Sequence, residues 1–125
     1  MGVVNCAAFV RQDDIGDAAA AVLSRPDDHV GVVYDLTGPD ALTLDEAAVI
    51  LSERLGRPVA YRQETVEEAY ASRSSCGVPQ WQLDAWVSTY TAIASGELDG
   101  VSDAVPRLTG RPATPLADIV SAARH

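Results

Sequence analysis

Tyr61, Tyr90 and Asp35 are the residues of this 125-residue chain whose chemistry could move a proton in a small-molecule site. A tyrosine hydroxyl beside a carbonyl acts as a general acid and a nearby aspartate as a base, the minimum for a cofactor-independent cyclisation or isomerisation. Thr37 and Gly38 lie where an apolar run ends in a turn, the kind of position at which open α/β sheets bind ligands. Trp81, Trp86 and Tyr90 are the concentrated aromatics; Trp86 and Tyr90, four apart, share a helix face while Trp81 projects from another side. With Tyr61 and Arg62 as polar elements, these residues make a candidate ligand site for a small apolar or aromatic molecule. Each has a plainer account: a simple turn for Thr37 and Gly38, and core packing, the stronger account, for the aromatics.

Other chemistry is excluded or unsupported. The chain has no lysine among its nine basic residues. Without one there is no Schiff base, no P-loop lysine and no Tyr-Lys pair for carbonyl protonation. Asp13/Asp14, Asp27/Asp28 and Glu67/Glu68 are sequence neighbours, which do not face one another on a helix, so they make poor acid/base dyads. Cys6 and Cys76 are isolated from each other and from His29 and His125, with no metal-ligand spacing. A net charge of −9 repels phosphate backbones, so nucleic acid is not an expected partner. No apolar run approaches the roughly 20 residues that span a bilayer, and the opening residues do not resemble a signal peptide. The expectation is a soluble, cytoplasmic protein.

The elements that must position these residues follow from periodicity. Residues 3–10 are a β-branched apolar run, read as a strand. Asp13 or Asp14 is expected to cap a helix with Ile15, Ala18, Ala19, Val22 and Leu23 at helical spacing. Residues 30–36 lack alternation, which predicts a strand buried on both faces, as in a parallel sheet. Thr43 with Glu46, and Thr65 with Glu68, have capping-box spacing and open two helices. Gly56 ends the first of them, and residues 58–63 read as a short strand. A longer helix follows Pro79, with Leu83, Trp86, Val87, Tyr90 and Ile93 on one side; Asp103 and Thr114-Pro115 begin the last two. The order β-α-β-α-β-α-α-α predicts an α/β fold: a small, partly parallel sheet of about three strands, flanking helices and a helical carboxy-terminal part. One domain is expected, with residues 1–62 forming the sheet part and 63–125 the helical, substrate-side part. Hydrophobic residues are 47% of the chain, but many are Ala and Val, so the core should be thin and association with another chain favoured.

With the elements placed, four stretches carry a family likeness: Phe9-Val10-Arg11-Gln12-Asp13-Asp14-Ile15-Gly16-Asp17-Ala18, Tyr34-Asp35-Leu36-Thr37-Gly38-Pro39, Leu55-Gly56-Arg57-Pro58-Val59, and Leu108-Thr109-Gly110-Arg111-Pro112. In order and spacing the chain resembles the carboxy-terminal portion of the NmrA-like group of atypical short-chain dehydrogenases, which includes NAD(P)H:quinone oxidoreductases. The resemblance implies a truncated Rossmann-like fold. In such relatives the dinucleotide sits over a first β-α turn rich in glycine. No Gly-x-Gly-x-x-Gly occurs in this sequence. No cofactor is therefore expected for the chain by itself, and NAD(P) only if a partner chain supplies that loop.

These observations give an expected substrate-side domain that binds a small apolar or aromatic molecule without autonomous redox activity. The alternatives are a cofactor-independent cyclase or isomerase of specialised metabolism, and a subunit that completes a separate Rossmann-type reductase. A sheet short of its central strands exposes an unpaired edge, so a homodimer through that edge is expected.

Overall fold

A computed structural model of the chain describes residues 6–123. Cys6–Ala7 forms β1 and Leu42–Thr43 forms β2, which pair antiparallel with Cys6 opposite Thr43 and Ala7 opposite Leu42. Helices α1 (Gln12–Ser24), α2 (Leu44–Leu55), α3 (Val66–Arg73), α4 (Gln80–Ala94), α5 (Ala104–Thr109) and α6 (Leu116–Ala123) surround this short ladder. Pro26–His29 and Ser74–Cys76 each form one 3-10 turn. Helix α1 packs on α5, α2 on α6, α3 on α4, and α4 also touches β1. The α/β class expected from the alternation holds.

The sheet itself differs from expectation. Among the described residues it has two strands, antiparallel, rather than about three in partly parallel order. Residues 30–36 and 58–63 pair with nothing to make a ladder. Val30, Val32 and Val33 are 78%, 50% and 89% exposed, so the valines of this run are not buried on both faces, while Tyr34 and Leu36 are half-buried. A strand exists only when another chain segment accepts and donates its main-chain hydrogen bonds, and none of the described residues does so here.

The helix starts illustrate what local sequence can dictate. Thr43 Oγ1 accepts from the Glu46 amide at 3.0 Å while the Thr43 amide donates to Glu46 Oε1 at 3.1 Å. Thr65 and Glu68 repeat the exchange at the start of α3. Gly56 closes α2 at φ 68°, a left-handed conformation that side chains with a Cβ resist. Two expected caps are different. Arg11, not Asp13 or Asp14, precedes α1, and both aspartates lie in its first turn, where carboxylates offset the exposed amides. Asp103 precedes α5 without a side-chain cap; the Ala104 amide donates instead to Ser102 Oγ at 3.0 Å.

The core is thin, as the composition implies. Among the described residues, seven of the eleven buried apolar ones are alanines: Ala7, Ala18, Ala47, Ala48, Ala69, Ala104 and Ala113. Leu83, Val87 and Ile93 line the buried side of α4, and Val105 is completely enclosed. On α1 only Ala18 of the expected stripe is buried, while Ile15 and Leu23 remain exposed.

Candidate functional site

Main-chain connections after β1 and before β2 meet the end of α4 to form a cleft of about 680 Å³. Its walls come from residues 7–10, from residues 34–37, from Thr89 and Ile93 of α4, and from the loop that carries Glu97, Leu98, Val101 and Ser102. That volume suits a small molecule.

Two close contacts hold the walls in place. Thr37 Oγ1 accepts a hydrogen bond from the Ser102 amide at 2.9 Å, which ties the turn before β2 to the loop after α4. Its own hydroxyl lies within donating distance of the Gly38 carbonyl at 3.0 Å and of the Ser102 carbonyl at 3.4 Å. Gly38 approaches the other wall so closely that a Cβ would lie 1.8 Å from the Phe9 carbonyl oxygen. The Gly38 amide donates to the Ala8 carbonyl at 3.3 Å, and the Ala8 amide donates to that of Leu98 at 2.9 Å. Thus three sequence-distant segments converge on Ala8. Tyr34 is fixed separately: its hydroxyl lies 2.7 Å from His29 Nδ1, and the two rings meet edge to face.

The sequence-predicted residues divide. Thr37 and Asp35 line the cleft, and Gly38 shapes it from behind. Tyr61 lies on the exposed segment 58–63, and Arg62 pairs with Glu68 at 3.1 Å at the start of α3. Trp81 is 70% exposed near the beginning of α4, and Trp86 is half-buried. Tyr90 receives the Arg73 guanidinium over its ring at 4.9 Å, and Arg73 also pairs with Glu64 at 3.5 Å. None of these aromatics lines the large cleft; they lie elsewhere on the helical part. The cleft walls contain Phe9, Tyr34, Ile93, Leu98 and Val101, which sequence reasoning did not select for binding. Phe9 and Tyr34 stood within the family-like stretches, whereas Leu98 and Val101 lie in a loop without periodicity.

A second, more open groove of about 440 Å³ runs between α3 and α4. There Tyr70 donates to Asp84 Oδ1 at 2.8 Å, and Gln80 donates to the same oxygen at 3.1 Å. The hydrogen bond to Asp84 raises the Tyr70 pKa, with burial and the aspartate charge adding to it. A phenol so held is a weaker acid than usual. Among the described residues, no three His, Cys, Asp or Glu side chains gather as a metal site.

Comparison with known proteins places this geometry. No protein-family model matches the chain. It is 38% identical to the NAD(P)H azoreductase of Xenophilus azovorans over 87% of its length, and 33% identical to quinone oxidoreductase 2 of Escherichia coli over 86%. The crystal structure of an NADPH-dependent quinone oxidoreductase from Escherichia coli superposes on 99% of the chain with a TM-score of 0.88 and 30% identity. The chain corresponds to the carboxy-terminal portion of NmrA-like reductases. A triphenylmethane reductase from Citrobacter gives a TM-score of 0.82 at 32% identity. The chain spans 38% and 37% of the two curated relatives, and 46% of the quinone oxidoreductase structure.

The quinone oxidoreductase has also been crystallised with NADPH. The residues of the present NmrA-like cleft do not fit that cofactor. A pyrophosphate needs a cluster of free backbone amides or cations. The charged side chains at this cleft are Asp35 and Glu97, both acidic, and the chain contains no glycine-rich dinucleotide turn.

Proposed function

We propose that this chain is the substrate-side domain of an NmrA-like reductase. In this reading the described residues up to 62 carry the short ladder and those from 63 onward are the helical part, and the chain holds a small apolar or aromatic molecule without performing NAD(P)H chemistry by itself. The observation that carries this reading is the cleft between residues 7–10, 34–37 and the end of α4, with its apolar walls of Phe9, Ile93, Leu98 and Val101. The relatives act on flat, conjugated acceptors by name, an azo compound and a quinone, which agrees with such walls. Thr37 and Gly38 contribute by fixing the walls, and Asp35 is the candidate proton-transfer group at the mouth. Tyr61, Arg62, Trp81, Trp86 and Tyr90 lie apart from this cleft, so any contact they make with a ligand belongs to another surface.

Reduction requires a bound nicotinamide, and the glycine-rich loop for it must come from another polypeptide segment. A second copy of the chain is the proposed cover for the unpaired residues 30–36. Equilibrium dialysis with the neutral naphthoquinone menadione, alongside an NADPH titration, tests the assignment. Menadione should bind while NADPH does not. Failure of menadione to bind, or micromolar NADPH binding with quinone turnover by the chain alone, would overturn it.

A further inference from the structure

We infer that the cleft selects aromatic cations over neutral molecules of the same shape and rejects aromatic anions, with Asp35 and Glu97 as the selecting residues. This rests on the binding function proposed above and assigns it a charge preference. Phe9, Ile93, Leu98 and Val101 offer a surface for a flat ring system. The two acidic residues come from different segments of that lining, Asp35 from the turn before β2 and Glu97 from the loop after α4.

Among the described residues, no Arg lines the cleft to balance them. Neither carboxylate takes part in an ion pair among the described residues, whereas Asp13, Asp14, Asp17, Glu64, Glu68 and Asp103 all do. The polar groups that do line the cleft are partly committed: Thr37 to Ser102 and Gly38, and Ser102 to the start of α5. An entering ligand therefore meets apolar walls and two acidic residues that are exposed and outside any ion pair among the described residues. A delocalised cation loses little hydration on entry and gains attraction from both acids. An anion meets repulsion at the same points, strengthened by the overall charge of −9.

The test is a matched series on one ring: acridine as the neutral probe, 10-methylacridinium as the cation and acridine-9-carboxylate as the anion. Dialysis of the full chain at slightly alkaline pH and about 0.15 M salt leaves the nitrogen of acridine uncharged and screens remote charges. The cation should bind about tenfold more tightly than acridine, and the anion at least tenfold more weakly. The double variant Asp35→Asn with Glu97→Gln should compress the three affinities to within about threefold while acridine binding persists.

A control with the same loss of charge on α2, Asp45→Asn with Glu53→Gln, should keep the preference, since neither residue lines the cleft. Equal binding of all three probes, or loss of preference in the α2 control, would overturn the charge assignment and leave the binding function standing. Absence of binding by acridine and its cation alike would overturn both.

Discussion

Asp14 has no exposed surface, and Arg111, 97 residues away, donates from Nη1 to its Oδ1 at 2.9 Å. The Thr114 amide donates to Asp14 Oδ2 at 2.7 Å and the Thr114 hydroxyl to Oδ1 at 3.1 Å. The second arm of Arg111 reaches Asp17 one turn further along α1. One carboxylate thus joins the first turn of α1 to the segment that leads into α6. Burial raises its pKa, but the Thr114 amide, Arg111 and the Thr114 hydroxyl outweigh burial, and the net shift is downward from 3.8. A carboxyl depressed on folding stabilises the native state fully above its unfolded pKa. That contribution disappears as pH falls through the lower folded value.

Asp14→Ala leaves the Thr114 amide without its acceptor and should cost about 2 kcal/mol in urea unfolding near neutral pH. Asp14→Asn should cost less, because its side-chain oxygen still accepts from Thr114, and should flatten the acid limb of the stability curve below pH of about 4. An unchanged acid limb in Asp14→Asn would show that another carboxyl governs acid unfolding.

Gly38→Ala should destabilise the fold by about 3 kcal/mol, because its Cβ would lie 1.8 Å from the Phe9 carbonyl oxygen. The clash is with backbone rather than a movable side chain, so relief requires the two cleft walls to separate. Urea unfolding measures the loss. The comparable Gly16→Ala change on α1 meets nothing within 4 Å and should be neutral or stabilising.

These two sites show which parts of the structure were legible in the sequence. Capping boxes at Thr43 and Thr65 and the Gly56 stop involve partners a few residues apart, so spacing alone determines them. The Asp14–Thr114 and Thr37–Ser102 contacts span 100 and 65 residues, and no local pattern encodes them. Residues 30–36 have the composition of a buried strand, but a strand needs a partner, and their valines face outward instead. Tyr90 shows the same limit: helical spacing put it on a face with Trp86 but could not say that its ring meets Arg73 of α3 rather than the cleft. Thr37 was singled out because a turn at the end of an apolar run is a positional signal, and Asp35 for its acid/base chemistry, whereas the loop of Leu98 and Val101 offers neither.

Thr37→Val keeps the shape of the side chain but removes the acceptor of the Ser102 amide. The expected cost is about 1.5 kcal/mol of stability, with weaker menadione binding because the loop of Glu97 and Ser102 is no longer tied to the opposite wall. Thr37→Ser retains the hydroxyl and should restore both. A Ser variant that binds as poorly as the Val variant would assign the defect to the lost methyl rather than to the hydrogen bond.

Val33 is 89% exposed, so Val33→Lys should change the stability of the isolated fold by no more than about 0.5 kcal/mol. Its effect on association should be much larger. If residues 30–36 pair with a second copy of the chain, a lysine there places a charge on an apolar strand that must be desolvated on pairing. Sedimentation velocity should give a dimer for the wild-type chain at micromolar concentration and a monomer for Val33→Lys, with unchanged circular dichroism. A Val49→Lys variant, which alters an exposed valine of α2 outside this segment, should remain dimeric. A monomeric wild-type chain would end the dimer proposal, and a dimer that survives Val33→Lys but not Val49→Lys would move the interface away from the unpaired segment.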